Sequence, residues 1–330
     1  MTLPTNHRPV APIAPWRRWL YRWTGKSPLS GGASGGDDAE AAQIPDKSFR
    51  YGDGTDAILL IHGLTGTPVE MQTVGRGLAK QGFSVYGVQL AGHCGSEADL
   101  EQTNWRDWYR SIEDAWREID RNHAQVFVAG ISMGAVMAMH LAAQHPGKIR
   151  GLGLYSTTLY YDGWAVPKLS FLLPLFLHTP FGKNIRFIEN FPYGIKNERL
   201  RDYIHNSMMS GASELAGNLG MSGHSLRELR HLIKLVKSEM PTIGTPALVL
   251  HAAHDDVTSP RNAEYVARHL GGPVRVELLH DCYHIITLDQ ERDKVVELSA
   301  EFFRGCLANA PVPISAALPN NFYPVSNQTG

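Results

Sequence analysis

Cysteine is scarce in this sequence. Only Cys94, Cys282 and Cys306 occur among its 330 residues, and no two of them form a CxxC pair. An odd number of widely spaced cysteines argues against a disulfide framework and against a zinc site built from thiolates. We therefore expect reduced thiols and a reducing compartment, so the predicted location is the cytoplasm.

Long apolar runs and an excess of charge are also absent. No stretch of about 18 apolar residues occurs, so no transmembrane helix is expected. Pro4, Pro9, Pro12 and Pro15 stand where a secretory signal would have its apolar segment, so no signal peptide is expected. Lys and Arg total 31 against 32 Asp and Glu, and this balance gives no general positive field for a nucleic-acid partner.

Motifs that bind common cofactors are missing too. The chain has no GxxxxGK[ST] phosphate loop, and the glycines at residues 130–134 do not form a GxGxxG fingerprint. No set of histidines and cysteines has the spacing of zinc ligands. We therefore expect neither a nucleotide cofactor nor a metal.

Apolar segments alternate with helical patterns along most of the chain. The apolar segments that predict strands are residues 57–63, 84–92, 126–130, 151–156, 246–252 and 274–280. The periodic segments that predict helices are residues 68–81, 104–122, 132–144, 260–270 and 285–303. Apolar strands that alternate with helices indicate an α/β fold, with a mostly parallel central sheet covered by helices on both faces.

The alternation also divides the chain into parts. No strand pattern occurs from about residue 157 to 239, a block too long for a simple crossover, which predicts a helical cap over the strand ends. The predicted parts are an extension (1–49), a first core part (50–157), the cap (158–240), a second core part (241–307) and an irregular tail (308–330).

Residues 16–23, WRRWLYRW, form a basic aromatic octet followed by a linker rich in Gly, Ser and acidic residues. Aromatic rings and arginines in one short segment are suited to a membrane surface, which would make the protein peripheral to the inner membrane face. A short helix packed on the core and a disordered arm are the alternatives.

A serine lies between two glycines at one strand-to-helix junction. The segment GISMG, residues 130–134, follows an apolar strand and precedes a helix, which is the context of a nucleophile elbow. The turn would present the hydroxyl of Ser132 at the top of the sheet, at the positive end of a helix dipole. Ser132 is therefore the predicted nucleophile.

A serine nucleophile needs a base and an acid that orients the base. Asp255 and Asp256 follow the strand at residues 246–252, and either carboxylate could reach the site. His284 lies in the loop before the last helix and is the predicted base. His280 is its rival, but His280 falls within the predicted strand at residues 274–280, where its side chain is less free to act as a base than in a loop. The chain order of serine, acid and histidine fits the elbow architecture.

The reaction also needs two backbone N–H groups that face the developing oxyanion. Met133, directly after the serine, would supply one of them. Leu64, in the loop HGLTGTPVEM after the first core strand, would supply the other, with His62 anchoring this loop and His93 pinning its own.

Taken together, the motifs resemble the α/β-hydrolase superfamily, and within it the small-capped bacterial carboxylesterases and monoacylglycerol lipases. The resemblance covers roughly residues 50–305 and rests on HGLTGTP, LAGHCGSEADLEQTNWRDW, GISMG, HDDVTSP and YHIITLD. It implies the α/β-hydrolase fold with a cap insertion, and it favours Asp255 over Asp256 as the acid. Cys94 departs from the pattern, because the family usually has glycine there.

The predicted substrate is an ester with an apolar acyl group of short to medium length, such as a monoacylglycerol. An apolar cap segment would line the acyl pocket together with Leu64 and Met133. The cap residues predicted to contact substrate are Phe171, Leu172, Leu175 and Phe176. Packing of the cap onto the core is the alternative role for these side chains.

Other functions could use the same residues. A thioesterase or an acyltransferase would share the triad and differ in the leaving group or the acceptor. A peptidase is less favoured, since no amine-binding feature stands out in the cap. A non-catalytic binding protein on a hydrolase fold should have lost a triad member, whereas all of them are present here.

Overall fold

The computed structural model describes residues 44–166, 186–188, 191–209 and 220–312. The basic aromatic octet at residues 16–23, the linker after it and most of the C-terminal tail lie outside the described residues. So do Phe171, Leu172, Leu175 and Phe176, the cap residues predicted to contact substrate.

A seven-stranded sheet forms the centre of the described part. Its strands are β1 (Phe49–Tyr51), β2 (Ala57–Ile61), β3 (Ser84–Val88), β4 (Val126–Ile131), β5 (Leu152–Tyr155), β8 (Ala247–Ala252) and β9 (Val274–Leu279). Their order is β1-β3-β2-β4-β5-β8-β9, and every neighbouring pair is parallel except β1 and β3. The six predicted strands are all present. β1 was missed because three residues are too few to show a pattern.

Helices cover both faces of the sheet. They are α1 (Gln72–Lys80), α2 (Glu97–Glu101), α3 (Trp105–Asn122), α4 (Met133–Gln144), α5 (Glu198–Met209), α6 (Gly223–Glu239), α7 (Arg261–His269) and α8 (Arg292–Leu307), with 3-10 turns at Pro68–Met71 and Met240–Thr242. Apolar residues of α3, α4, α6 and α7 form one core cluster, and those of α1 and α8 form another.

The inner strands β2 and β4 are apolar throughout because both of their faces are covered. In β2, Leu59 packs into the first cluster, whereas its neighbours Ile58 and Leu60 point the other way into the second. This alternation buries every side chain of β2 and explains why the strand has no polar positions.

The last helix begins later than the sequence predicted. The helix expected at residues 285–303 runs from Arg292 to Leu307, and turns occupy residues 285–291. Ile285, Ile286 and Leu288 have helical spacing, but Ile285 and Ile286 pack against the second core cluster, and the N–H of Ile285 donates to the carbonyl oxygen of the distant Gly194 at 2.8 Å. A local apolar pattern could not reveal this hydrogen bond to a distant segment.

The block between β5 and β8 contains strands, contrary to the sequence prediction. β6 (Arg186–Ile188) pairs antiparallel with β7 (Gly220–Ser222), and Phe187 lies opposite Met221. Each strand has three residues and its partner is distant in the sequence, so no local periodicity marks them. α6 follows β7 directly, and its Leu229, Leu232 and Val236 are buried in the core cluster shared with α3 and α4.

In the part of the chain that the structure describes, no helix is both long enough and apolar enough to cross a membrane.

Candidate active site

Ser132 occupies the sharp turn between β4 and α4. Its backbone has φ 57° and ψ −116°, a conformation that side chains rarely adopt. Its N–H donates to the carbonyl oxygen of Tyr155 at 2.9 Å, which joins the turn to the end of β5. A Cβ on Gly134 would lie 2.3 Å from the carbonyl oxygen of Ile61. A Cβ on Gly130 would lie 2.3 Å from the backbone carbonyl carbon of Gly134. Both positions flanking the serine therefore require glycine.

The hydroxyl of Ser132 shares a hydrogen bond with the hydroxyl of Thr158, at 2.8 Å between the two oxygens. Thr158 is fully buried and follows β5, whose carboxyl end lies beside that of β4. Thr158 was not predicted as a site residue from the sequence. Its position in the sequence could have indicated a site residue, because Thr158 comes just after a parallel strand, and sites form at the carboxyl ends of such strands.

Asp255 and His284 are in direct contact at the same edge of the sheet. The Nδ1–H of His284 donates to Asp255, with distances of 2.9 Å to Oδ2 and 3.1 Å to Oδ1. Asp255 also accepts the N–H groups of Val257 and Thr258, both at 2.8 Å. A histidine that donates through Nδ1 and is neutral has a lone pair at Nε2, which is the atom that a general base uses.

Asp255 is buried and yet favours its charged form. Burial acts to raise the pKa of its carboxyl group, but the charge and hydrogen bond of His284, the charge of His251 and the N–H of Thr258 lower that pKa by more. The net effect is a pKa below the ordinary value. His251, in β8, lies 3.5 Å from Asp255 Oδ2 and was not identified from the sequence.

The two rival residues are placed differently. Asp256 accepts main-chain N–H groups, from Gly194 at 2.9 Å and from His284 at 3.3 Å. Burial, and then the negative charge of Asp255, raise the pKa of Asp256. His280 is exposed at the end of β9. It is His284 that the structure brings onto Asp255.

The loop after β2 lies beside Ser132. A Cβ on Gly63 would be 3.4 Å from the Cβ of Ser132, so this loop passes close to the serine side chain. Leu64 is almost fully buried in it, and Met133 is the first residue of α4, where an N–H has no partner within the helix. The N–H of Gly63 donates to the carboxylate of Glu70, which sequence reasoning missed.

His62 fixes this loop to its neighbour. Its Nδ1–H donates to the carbonyl oxygen of Gly63 at 2.8 Å, and its Nε2 accepts the N–H of Leu90 at 3.2 Å. The ring of His93 packs edge-on against that of His62. Cys94, which departs from the glycine of the family pattern, adopts φ 67°, the left-handed conformation in which glycine is favoured.

Both histidines are buried, and each favours its neutral form. Burial lowers the pKa of His93 to about 4, although hydrogen bonds with the backbone at Ala91 and Leu90 oppose the shift. Burial, and then the charge of His93, hold the pKa of His62 well below its ordinary value. Among the residues that the structure describes, no group of three or more His, Cys, Asp or Glu side chains could hold a metal ion.

Comparison with known proteins gives a match over most of the chain. The model of the family described as "Serine aminopeptidase, S33" (Hydrolase_4) matches residues 53–291. A thermostable monoacylglycerol lipase of Bacillus sp. (strain H-257) is 27% identical over 256 residues, which are 77% of this chain and 93% of that protein. A carboxylesterase of Bacillus subtilis (strain 168) is 23% identical over 261 residues, 78% of this chain and 96% of that protein.

Solved structures share the fold. A chain from the structures of LipS and LipT, two metagenome-derived lipolytic enzymes, superposes with a TM-score of 0.67 at 22% sequence identity. The match covers 78% of this chain and 97% of the other.

Proposed function

The chain belongs to the serine aminopeptidase S33 family (Hydrolase_4) and has the α/β-hydrolase fold, and from this premise we propose that it is a serine hydrolase that cleaves carboxylic esters. The proposed substrates have apolar acyl groups of short to medium length. The observation that carries the proposal is the hydrogen bond of 2.9 Å between Asp255 and His284, at the sheet edge where Ser132 occupies its strained turn.

The proposed reaction begins with acylation of Ser132. Its Oγ attacks the carbonyl carbon of the ester while Nε2 of His284 takes the hydroxyl proton, and Asp255 stabilises the imidazolium that forms. The N–H groups of Leu64 and Met133 are proposed to hold the oxyanion, and removing one such donor typically costs about 3–4 kcal/mol. When the intermediate collapses, the bond to the leaving oxygen breaks and His284 returns the proton to the departing alcohol.

Deacylation then uses the same residues. His284 takes a proton from a water molecule, the hydroxyl adds to the acyl-enzyme carbonyl, and the second tetrahedral intermediate collapses. The bond between Ser132 Oγ and the acyl carbon breaks, Oγ regains the proton and the carboxylic acid leaves. No cofactor takes part in these steps.

The names of the relatives support an ester substrate. The two Bacillus proteins are named as a monoacylglycerol lipase and a carboxylesterase, and each is covered almost completely by the match. The preference for an apolar acyl chain rests on the residues 168–182 of the sequence, which are rich in Leu and Phe. Contact of residues 16–23 with a membrane and a cytoplasmic location remain proposals from the sequence.

A substrate panel with Ser132→Ala tests the proposal. The panel contains p-nitrophenyl esters from acetate to palmitate, a monoacylglycerol, an acyl-CoA and an aminoacyl p-nitroanilide. We expect ester turnover with a maximum at a short or medium chain, and a loss of roughly 10⁴-fold or more in kcat for the variant, since removal of a serine nucleophile has effects of this size.

Each other outcome has a distinct meaning. Turnover of the acyl-CoA without the oxygen esters would favour the thioesterase alternative. Cleavage of the p-nitroanilide alone would favour the peptidase named in the family description. Ester turnover that survives in a folded Ser132→Ala protein would exclude this site.

A further inference from the structure

Asp256 connects the catalytic loop with a segment of the cap. One of its carboxylate oxygens accepts the N–H of His284 at 3.3 Å, and the other accepts the N–H of Gly194 at 2.9 Å. The side chain is almost fully buried, with 1% of its surface exposed. One carboxylate therefore binds the main chains of two segments that are distant in the sequence.

Residues 193–197, which we call the strap, contact the loop of His284 at several further points. The N–H of Ile285 donates to the carbonyl oxygen of Gly194 at 2.8 Å. A second buried carboxylate, Asp289, accepts the N–H groups of Lys196 at 2.7 Å and Asn197 at 3.0 Å. The strap is thus held along its length by backbone and carboxylate hydrogen bonds.

The strap lies directly against the histidine. Gly194 has φ +72°, and a Cβ added there would be 3.2 Å from the Cβ of His284 and 2.8 Å from a side-chain carbon of Ile285. Only a glycine in this conformation lets the strap approach so closely. The position of the His284 main chain is therefore set on one side by the strap and by Asp256.

The surroundings of Asp256 disfavour the charged form of its carboxyl group. Burial and the adjacent negative charge of Asp255 both oppose its ionisation. A buried charge of this kind is costly unless its hydrogen bonds compensate, and an apolar side chain would avoid that cost but leave the N–H groups of Gly194 and His284 without this acceptor. The carboxylate has, however, the acceptor geometry needed to bind two N–H groups at once.

We propose that Asp256 is a positioning residue that fixes the main chain of His284 against the strap, so that the imidazole stays aligned between Asp255 and Ser132. The proposal rests on the proposed function, since it assigns a role to a residue that does not itself touch the reacting atoms. Misplacement of a catalytic group by about 1 Å can cost roughly 100-fold in rate, which gives the scale of the effect.

Asp256→Asn is the test variant, because an amide keeps the volume but can accept only through one of its two terminal atoms. We expect kcat to fall roughly 10- to 100-fold while KM changes less than about threefold, by the scale for a displaced catalytic group. The fall should be equal for p-nitrophenyl acetate and p-nitrophenyl octanoate. An effect through the cap alone would instead reduce turnover of the longer ester and leave that of the acetate unchanged.

Asp281→Asn is the matched control. Asp281 lies in the same loop and binds the strap through the side chain of Lys196 at 2.8 Å, but its carboxylate is exposed. This variant should keep kcat within about twofold for both esters, since exposed ion pairs contribute little. A loss in Asp281→Asn equal to that in Asp256→Asn would show a general sensitivity of the loop and would overturn the proposal.

Thermal unfolding and labelling of Ser132 by a fluorophosphonate complete the experiment. The positioning role is supported if Asp256→Asn has the melting temperature of the wild type and if its labelling is slowed by the same factor as kcat. Unchanged kcat and labelling in this variant overturn the proposal, while loss of turnover in Ser132→Ala leaves the proposed function standing. If Asp256→Asn does not fold, Asp256→Ser, which leaves room for a water between the N–H groups, takes its place. If neither folds, Asp256 is a stability residue and the proposal is wrong.

Discussion

Acid should destabilise this protein through the buried histidine His93. Its pKa in the folded protein is about 4, against an ordinary value of 6.5. The unfolded chain therefore binds a proton at this residue in a pH range where the folded protein does not. The folded-state pKa is lowered, so the stability linked to His93 is complete above pH 6.5, declines as the pH falls below that value, and is lost at about pH 4.

The size of the effect follows from the two pKa values. At pH 5 the unfolded state gains about 2 kcal/mol relative to the folded state from protonation of His93, using about 1.4 kcal/mol per pKa unit. At pH 7.5 the corresponding difference is close to zero. Urea unfolding of the wild type at the two pH values gives the total loss of stability, to which other buried groups also contribute.

His93→Gln isolates the contribution of this residue. Between pH 7.5 and pH 5, the free energy of unfolding of the variant should fall by about 2 kcal/mol less than that of the wild type. This difference holds whatever the stability of the variant at pH 7.5. Removing His93 also removes its charge from the surroundings of His62, which acts in the same direction. His269→Gln, at an exposed position on α7, is the control and should lose as much as the wild type. An equal loss in His93→Gln and the wild type would refute the reasoning.

Two further substitutions test the geometry around Ser132. Thr158→Val keeps the shape of the side chain and removes the hydroxyl that lies 2.8 Å from Ser132 Oγ. We expect kcat for a short ester to fall about 2- to 12-fold in this variant, which is the equivalent of one net hydrogen bond. Thr158→Ser keeps the hydroxyl and should retain the wild-type kcat. Wild-type kcat in Thr158→Val would show that this contact has no part in turnover. Gly134→Ala would place a Cβ 2.3 Å from a backbone oxygen and should destabilise the protein by about 1–3 kcal/mol or more in urea unfolding. Gly244→Ala, at a position with open space, should be nearly neutral, and equal effects in the two variants would contradict the packing argument.

The sequence predicted the family and the α/β-hydrolase fold, and both predictions are confirmed by the match over residues 53–291 and by the shared fold of solved lipolytic enzymes. The reason is physical. β2 and β4 are buried on both faces and carry no polar side chains, and the turn at Ser132 admits only glycine two residues before and two residues after the serine. Such constraints act on adjacent residues and can therefore be detected from the sequence alone.

Contacts between distant segments could not be predicted in this way. β6 and β7 are too short to show a period, and the turns at residues 285–291 begin with a hydrogen bond from the N–H of Ile285 to the distant Gly194. The bonds of Asp256 to Gly194 and His284 join segments 62 and 28 residues apart. The roles of the site residues, including the cap residues outside the described part, stay predictions.

The most direct test of the central claim is to locate a covalent adduct on the protein. Incubation with a fluorophosphonate, followed by mass spectrometry of the intact chain and of its peptides, should show one adduct per chain, on Ser132. Asp255→Asn and His284→Ala should both slow its formation strongly, because the serine then lacks its oriented base. An adduct on another residue, or unchanged labelling of the folded His284→Ala protein, would contradict the account.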